Sequence, residues 1–195
     1  NYLGYSSISG EGLVKEFADH VNALDIPVFD FSTVESIGVS EDSKIKEVIL
    51  SDGTTYKAKS IIIATGSKPR KLGVPGEEEF FGKGVAYCAI CDGPFFTGLD
   101  VIVAGGGNSA IEAAIDLSKI ANKVTVVHRS QLRADQILIE QVEKLENVEI
   151  LLETQIQEIQ GEKLMSGIKV LDKSTGKTSV IEANGIFVEI GYLPN

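Results

Sequence analysis

The chain has 195 residues, 43% of them hydrophobic, which is enough to bury a core in one or two domains. Its formal net charge of −10 argues against nucleic acid or an anionic membrane surface as a partner. No apolar run approaches the roughly 18 residues that a membrane helix needs. The two cysteines, Cys88 and Cys91, are too few for a secreted disulfide framework. They fit a reactive pair in a reducing compartment, so a cytoplasmic setting is expected.

Residues 1–10 are polar and glycine-bearing, without the apolar core of a signal peptide. The first residue is Asn1, the single Met is Met165, and the last residues follow an apolar run. These ends lead us to expect a piece cut from a longer chain.

Over residues 8–24, Leu13, Val14, Phe17, Ala18, Val21 and Leu24 form a one-sided stripe, which predicts a helix capped by Ser9. Residues 26–31 read as a short strand. Residues 32–39, 44–50 and 54–56 read as a meander with a hairpin turn at Ser51-Asp52-Gly53. Residues 59–65 are apolar on both faces, predicting a central strand that stops at Gly66. Two prolines and two glycines mark 69–76 as a linker.

Strand 100–104, helix 108–120 and strand 123–127 make one βαβ unit. A helix at 134–145 and a strand at 148–152 follow. Strand-like runs at 154–160, 167–171 and 178–182 come next, and 186–190 has the apolar character of a central strand.

Between the first strand and helix of the βαβ unit lies Gly105-Gly106-Gly107-Asn108-Ser109-Ala110, which fits G-x-G-x-x-A. The first glycine permits a tight turn, the second lets backbone approach a pyrophosphate, and the small third residue lets helix and strand pack closely. The helix N-terminus offers free amides and a positive dipole end. A glycine-rich turn that binds nothing is the competing reading. An NAD site wants an acidic residue about 20 positions on. Here the second strand ends in His128-Arg129, with Arg133 four residues later, and arginine there suits a 2′-phosphate. Solvated surface arginines are the alternative.

Cys88-Ala89-Ile90-Cys91-Asp92-Gly93 can be redox-active, metal-binding or inert. A structural zinc site needs four ligands, and beyond the cysteines the chain offers only His20 and His128. Thiolates of a Cys-x-x-Cys pair have lowered pKa and close a short-loop disulfide, so the redox reading leads. Asp92 adjoins the second sulfur. It can donate and accept protons while electrons move, or it can serve the turn before Gly93.

Taken together, Cys88-Ala-Ile-Cys-Asp-Gly, Gly-Gly-Gly-Asn-Ser-Ala and His128-Arg129…Leu132-Arg133-Ala134 resemble the low-molecular-weight, bacterial-type thioredoxin reductases. The flavoprotein of the alkyl hydroperoxide reductase system is a close relative of that family. The resemblance covers essentially the whole chain. Asn1-Tyr2-Leu3-Gly4 is similar to the family's Asn-aromatic/Pro-Gly stretch, and Ile63-Ala64-Thr65-Gly66 to its A-T-G turn. Residues 187–195 resemble its strand returning to the flavin domain.

The resemblance implies an α/β fold in which a Rossmann-like nucleotide-binding domain, a parallel sheet plus a β-meander, is inserted into a partial FAD-binding α/β domain. Residues 1–70 would be the partial FAD-binding domain, 71–184 the NAD(P)-binding domain carrying the cysteines, and 185–195 the return into the FAD-binding domain. FAD and NADPH are the implied cofactors, with Asn1, Thr65 and Gly66 added to the cofactor-binding residues. The implied partner is thioredoxin or a related dithiol protein, and the implied assembly a homodimer. By the same analogy Cys91 faces the flavin, Cys88 exchanges with the partner's disulfide, and Asp92 handles protons.

Three departures accompany the resemblance. The family's N-terminal FAD fingerprint, a second G-x-G-x-x-G, is absent, and so is its C-terminal Gly-Asp segment. Its usual His-Arg-Arg-Asp-x-x-Arg-Ala is one residue shorter here and one arginine poorer. The implied function is a flavin-dependent disulfide reductase acting on thioredoxin. The alternatives are the same chemistry with a peroxiredoxin or glutaredoxin-like acceptor, and a nucleotide-binding module without turnover.

Overall fold

The computed structural model describes residues 2–40 and 44–195, and the chain divides between Ala64 and Thr65 into two compact units. In the first unit, helix α1 (Gly10–Ala23) begins where Ser9 Oγ accepts the Gly12 amide at 3.1 Å. Its stripe buries no residue. Strands β1 (Val34–Val39), β2 (Lys46–Leu50) and β3 (Thr55–Ala58) form an antiparallel sheet. The turn between β2 and β3 places Gly53 at φ 86° and lets Asp52 accept the Thr54 amide at 2.8 Å.

Two expected strands of this region do not form. Residues 26–31 are irregular, with Asp25 and Phe31 at positive φ, a conformation that breaks an extended run. Residues 59–66 have no ladder partner among the described residues, and Ile62 and Ile63 stand 93% and 67% exposed. An apolar run becomes a central strand only where an edge is offered on each side.

The second unit contains the βαβ unit. Its short strands β4 (Ser67–Pro69) and β5 (Val85–Ala86) precede a one-turn helix α2 (Ala89–Asp92) and a 3₁₀ turn (Gly93–Phe96). Strand β6 (Asp100–Ala104), helix α3 (Asn108–Ser118), strand β7 (Lys123–Val127), helix α4 (Gln136–Val142) and strand β8 (Val148–Leu151) follow. The meander β9 (Thr154–Gly161), β10 (Met165–Asp172) and β11 (Thr178–Glu182) is antiparallel. The chain ends in β12 (Gly185–Val188) and β13 (Tyr192–Pro194).

The main sheet is parallel throughout, in the order β5-β12-β6-β7-β8. Its strands alternate side chains between two cores. Val101, Val103, Val124, Val126 and Phe187 point into the layer containing Ile111 and Leu117 of α3. Ile102, Ala104, Val127, Ile186 and Val188 point into the layer containing Ile156, Ile159 and Ile168 of the meander. Burial on both faces is why these strands read as unbroken apolar runs, and each fully buried Val or Ile contributes about 1.5–3 kcal/mol. Helices cover one face and the meander the other, leaving the carboxyl ends of β6, β7 and β12 free to carry chemistry.

The short pairs are not legible in the sequence. Strand β5 has two residues, while β4 and β13 have three each and pair antiparallel with each other.

Candidate functional site

The glycine turn leaves the end of β6. Gly105 sits at φ 149° and donates its amide to the Val127 carbonyl at 3.1 Å. A Cβ there would strike the Glu189 carbonyl and lie 2.8 Å from the Ala110 methyl, so only glycine fits. A Cβ on Gly106 would enter the His128 ring. Beside Gly107, by contrast, there is open space, and Gly107 is the N-cap of α3 with no side chain capping it. The first amides of α3 therefore face that space without a side-chain acceptor. Ala110 is wholly buried, which lets α3 close on β6.

The loop after β7 folds back over this turn. The Arg133 amide donates to the Gly106 carbonyl at 2.7 Å. Asn108 Nδ2 donates to Asp135 at 2.9 Å, and the Asp135 amide donates to Asn108 Oδ1 at 2.8 Å. Asn108 thus spends its side chain on the loop. Lys173 Nζ donates to the Arg129 carbonyl at 3.0 Å from the β10–β11 turn. His128 Nε2 lies 3.2 Å from Ser130 Oγ. Burial, then the charges of Arg133 and Arg129, hold His128 below the usual histidine value. Gly105, Gly106, Gly107, Asn108, Ser109, His128, Arg129 and Arg133 all line one cleft of about 680 Å³.

Cys88 and Cys91 are joined in a disulfide. Cys88 is the N-cap of α2, its sulfur accepting the Cys91 amide at 3.2 Å. Asp92 is half-buried, and its amide donates to the Cys88 carbonyl at 3.0 Å. Ile90, between the cysteines, is 82% exposed. Among the described residues no group of three or more His, Cys, Asp or Glu side chains could hold a metal ion.

A second cleft of about 510 Å³ is lined by Tyr87, Cys88, Ala89 and Ile90, and across it by residues of α3. Ser109 and Glu189 line both clefts, so the disulfide and the glycine turn share walls. Burial pushes the Glu189 carboxyl above the usual carboxylate range, and the Ala89 backbone amide partly offsets that. Sequence reasoning assigns no role to Glu189, although a lone charge inside the apolar run 186–190 is a usable signal. Asp135, just before α4, is another. Lys173 and Glu77 carry none.

Thr65 and Gly66 lie apart from both clefts, beside the β4–β13 pair. Thr65 Oγ donates to the Asn195 carbonyl at 3.2 Å, and Asn195 Nδ2 donates to the Thr65 carbonyl at 3.1 Å. Gly66 has φ 71° and accepts the Asn195 amide at 3.2 Å. Asn1 lies outside the described residues.

Residues 6–195 match the family model described as pyridine nucleotide-disulphide oxidoreductase. The chain belongs to that family. Among relatives of this oxidoreductase are a Bacillus subtilis protein named NADH dehydrogenase, 41% identical over 196 residues, and an alkyl hydroperoxide reductase protein of Pseudomonas putida, 40% identical over 198. Each comparison covers all of this chain and 38% of the relative, so the chain spans well under half the length of these proteins. The crystal structure of Lactococcus lactis thioredoxin reductase, in its FR conformation, superposes with a TM-score of 0.82 at 36% identity. It covers the whole chain and 64% of the crystallised one. Thioredoxin reductase of T. acidophilum gives 0.78 at 37%, covering 100% and 63%.

Two dinucleotides are implied by this family, and the residues of the oxidoreductase treat them differently. The open face at Gly107, the uncapped α3 and the arginines in one cleft fit a pyridine dinucleotide. The Thr65–Gly66–Asn195 corner offers exposed backbone but no second phosphate cradle among the described residues, so this chain borders a flavin without enclosing it.

Proposed function

We propose that the protein containing this chain is a flavin-dependent reductase that passes two electrons from NADPH, through the Cys88–Cys91 disulfide, to the disulfide of thioredoxin in the cytoplasm. The observation that carries this reading is the shared wall: Ser109 and Glu189 belong to both the disulfide cleft and the glycine-turn cleft. The balance is NADPH, a proton and one acceptor disulfide in; NADP⁺ and two thiols out. FAD, when bound, supplies the two-electron relay that a disulfide needs to accept reducing equivalents from a nicotinamide.

The chain's own residues divide the remaining work. Gly105, Gly107, Ser109 and Ala110 admit the pyrophosphate, and Arg129 and Arg133 pair with the 2′-phosphate beside His128. Cys91 takes electrons from the flavin side, Cys88 exchanges with the acceptor's sulfur, and Asp92 supplies and removes the proton. Residues 71–184 are the NAD(P)-binding domain, and 1–70 with 185–195 belong to the FAD-binding domain, where Asn1, Thr65 and Gly66 border the flavin. Assembly as a homodimer belongs to the same reading and is supported by the resemblance to thioredoxin reductases.

A second reading, in which the donor is NADH and the acceptor a peroxiredoxin, is favoured by the shortened arginine motif at 128–134. The relatives named NADH dehydrogenase and alkyl hydroperoxide reductase also support it. The deciding experiment takes the full-length, flavin-loaded protein and follows NADPH and NADH oxidation separately with thioredoxin and with a peroxiredoxin. The expected result is NADPH-driven thioredoxin reduction that disappears when both cysteines are changed to serine. Undiminished reduction by the double serine variant would overturn the proposal.

A further inference from the structure

Glu77 is 2% exposed and is the one charged side chain among the buried polar residues described. A carboxylate taken out of water needs a cation or a full set of donors. Glu77 has three donors: the Leu72 amide at 2.8 Å and the Tyr87 hydroxyl at 2.8 Å on Oε1, and the Gly73 amide at 2.7 Å on Oε2. Gly73 at φ 73° is what turns two successive amides toward one carboxylate. Burial and the bond to Glu77 keep the Tyr87 hydroxyl protonated by pushing its pKa up.

The three donors come from two places that the catalytic reading does not connect. Leu72 and Gly73 follow directly on the β4–β13 pair, which the Arg70 amide extends by donating to the Gly191 carbonyl at 2.9 Å. Tyr87 directly precedes Cys88. On the far side, Cys91 is fixed by α2, whose end packs Gly93 against Leu117. We infer that Glu77 is a positioning residue for the Cys88–Cys91 pair, clasping the segment that leaves the β4–β13 pair to the residue before Cys88 and so favouring the closed disulfide. The inference rests on the thiol–disulfide reading above. Holding Cys88 in place raises the effective concentration of one sulfur toward the other. Releasing it makes the disulfide easier to open.

The test equilibrates the 195-residue chain with mixtures of reduced and oxidised dithiothreitol. Two dithiothreitol thiols open the Cys88–Cys91 bond and close into their own cyclic disulfide, while the protein gains two thiols, counted by alkylation. Tyr87→Phe keeps the ring and removes one donor; Glu77→Gln sets an amide N–H₂ against a donor. Each is expected to shift the half-reduction ratio about threefold to tenfold toward the dithiol. The double variant should shift no further than Glu77→Gln, with NADPH affinity within about twofold throughout.

An unshifted Tyr87→Phe variant, additive effects in the double variant, or a parallel loss of NADPH affinity would overturn the inference. A wild-type disulfide that does not exchange with dithiothreitol would overturn the redox reading as well.

Discussion

Three consecutive glycines do three different jobs, and single substitutions separate them. At Gly105 a methyl meets backbone, the Glu189 carbonyl, at a φ that side chains avoid. Gly105→Ala is therefore expected to cost about 1–3 kcal/mol, lowering the unfolding midpoint of the second unit by about 2–4 °C per kcal/mol. At Gly107 a methyl meets nothing, at an ordinary φ of −93°. Gly107→Ala should leave that midpoint unchanged and weaken NADPH binding about tenfold or more, because the methyl stands where phosphate must approach. Calorimetric titration beside thermal unfolding checks both. A Gly107→Ala chain that binds NADPH normally would remove the phosphate from this turn. The G-x-G-x-x-A pattern is visible in sequence, whereas the reason for the middle glycine, the His128 ring, requires the fold.

At the level of elements, the loop carrying Arg129 and Arg133 is held at several points rather than floating on the surface. The Gly106 carbonyl, the Asn108–Asp135 pair and Lys173 fix its course. A preorganised guanidinium loses less freedom on binding a phosphate. Arg129→Ala is expected to weaken NADPH binding about tenfold while changing NADH binding less than about twofold. Equal losses for the two nucleotides would show that Arg129 does not read the 2′-phosphate.

Elements with two buried faces are the legible ones. Strand 100–104, strand 123–127 and the run 178–182 fall where the sequence places them, because apolar periodicity records burial. The same signal fails at 59–65, where the apolar residues are present but no neighbouring strand among the described residues pairs with them. Strands β4, β5 and β13 escape notice for the opposite reason: two or three residues hold no period, and their pairing is set by partners distant in sequence.

Across the whole molecule, burial is unevenly spread. Leu50 is the only buried hydrophobic residue described in the first unit, whereas the second holds both core clusters. Local opening costs little where few apolar contacts must be broken. Hydrogen exchange of the isolated chain should show amides of β1 to β3 exchanging far faster than those of β6, β7 and β12. Comparable protection in both units would contradict this distribution of burial. The general architecture, a nucleotide-binding α/β layer with a β-meander, can be inferred because motif order and strand patterning agree. Glu77 cannot, since Glu77-Glu78-Glu79 reads as a solvated acidic run until the fold buries its first member.

The antiparallel pairing of Ser67–Pro69 with Tyr192–Pro194 means that the polypeptide enters and leaves the second unit along neighbouring tracks. Paired strands lie about 5 Å apart, a gap that a tight hairpin can bridge. A cassette moored at such a double stem can be spliced into, or lost from, a surrounding scaffold without disturbing that scaffold's connectivity. Its internal layers carry their own stability, and the two-strand stalk is the only register an acceptor scaffold must match.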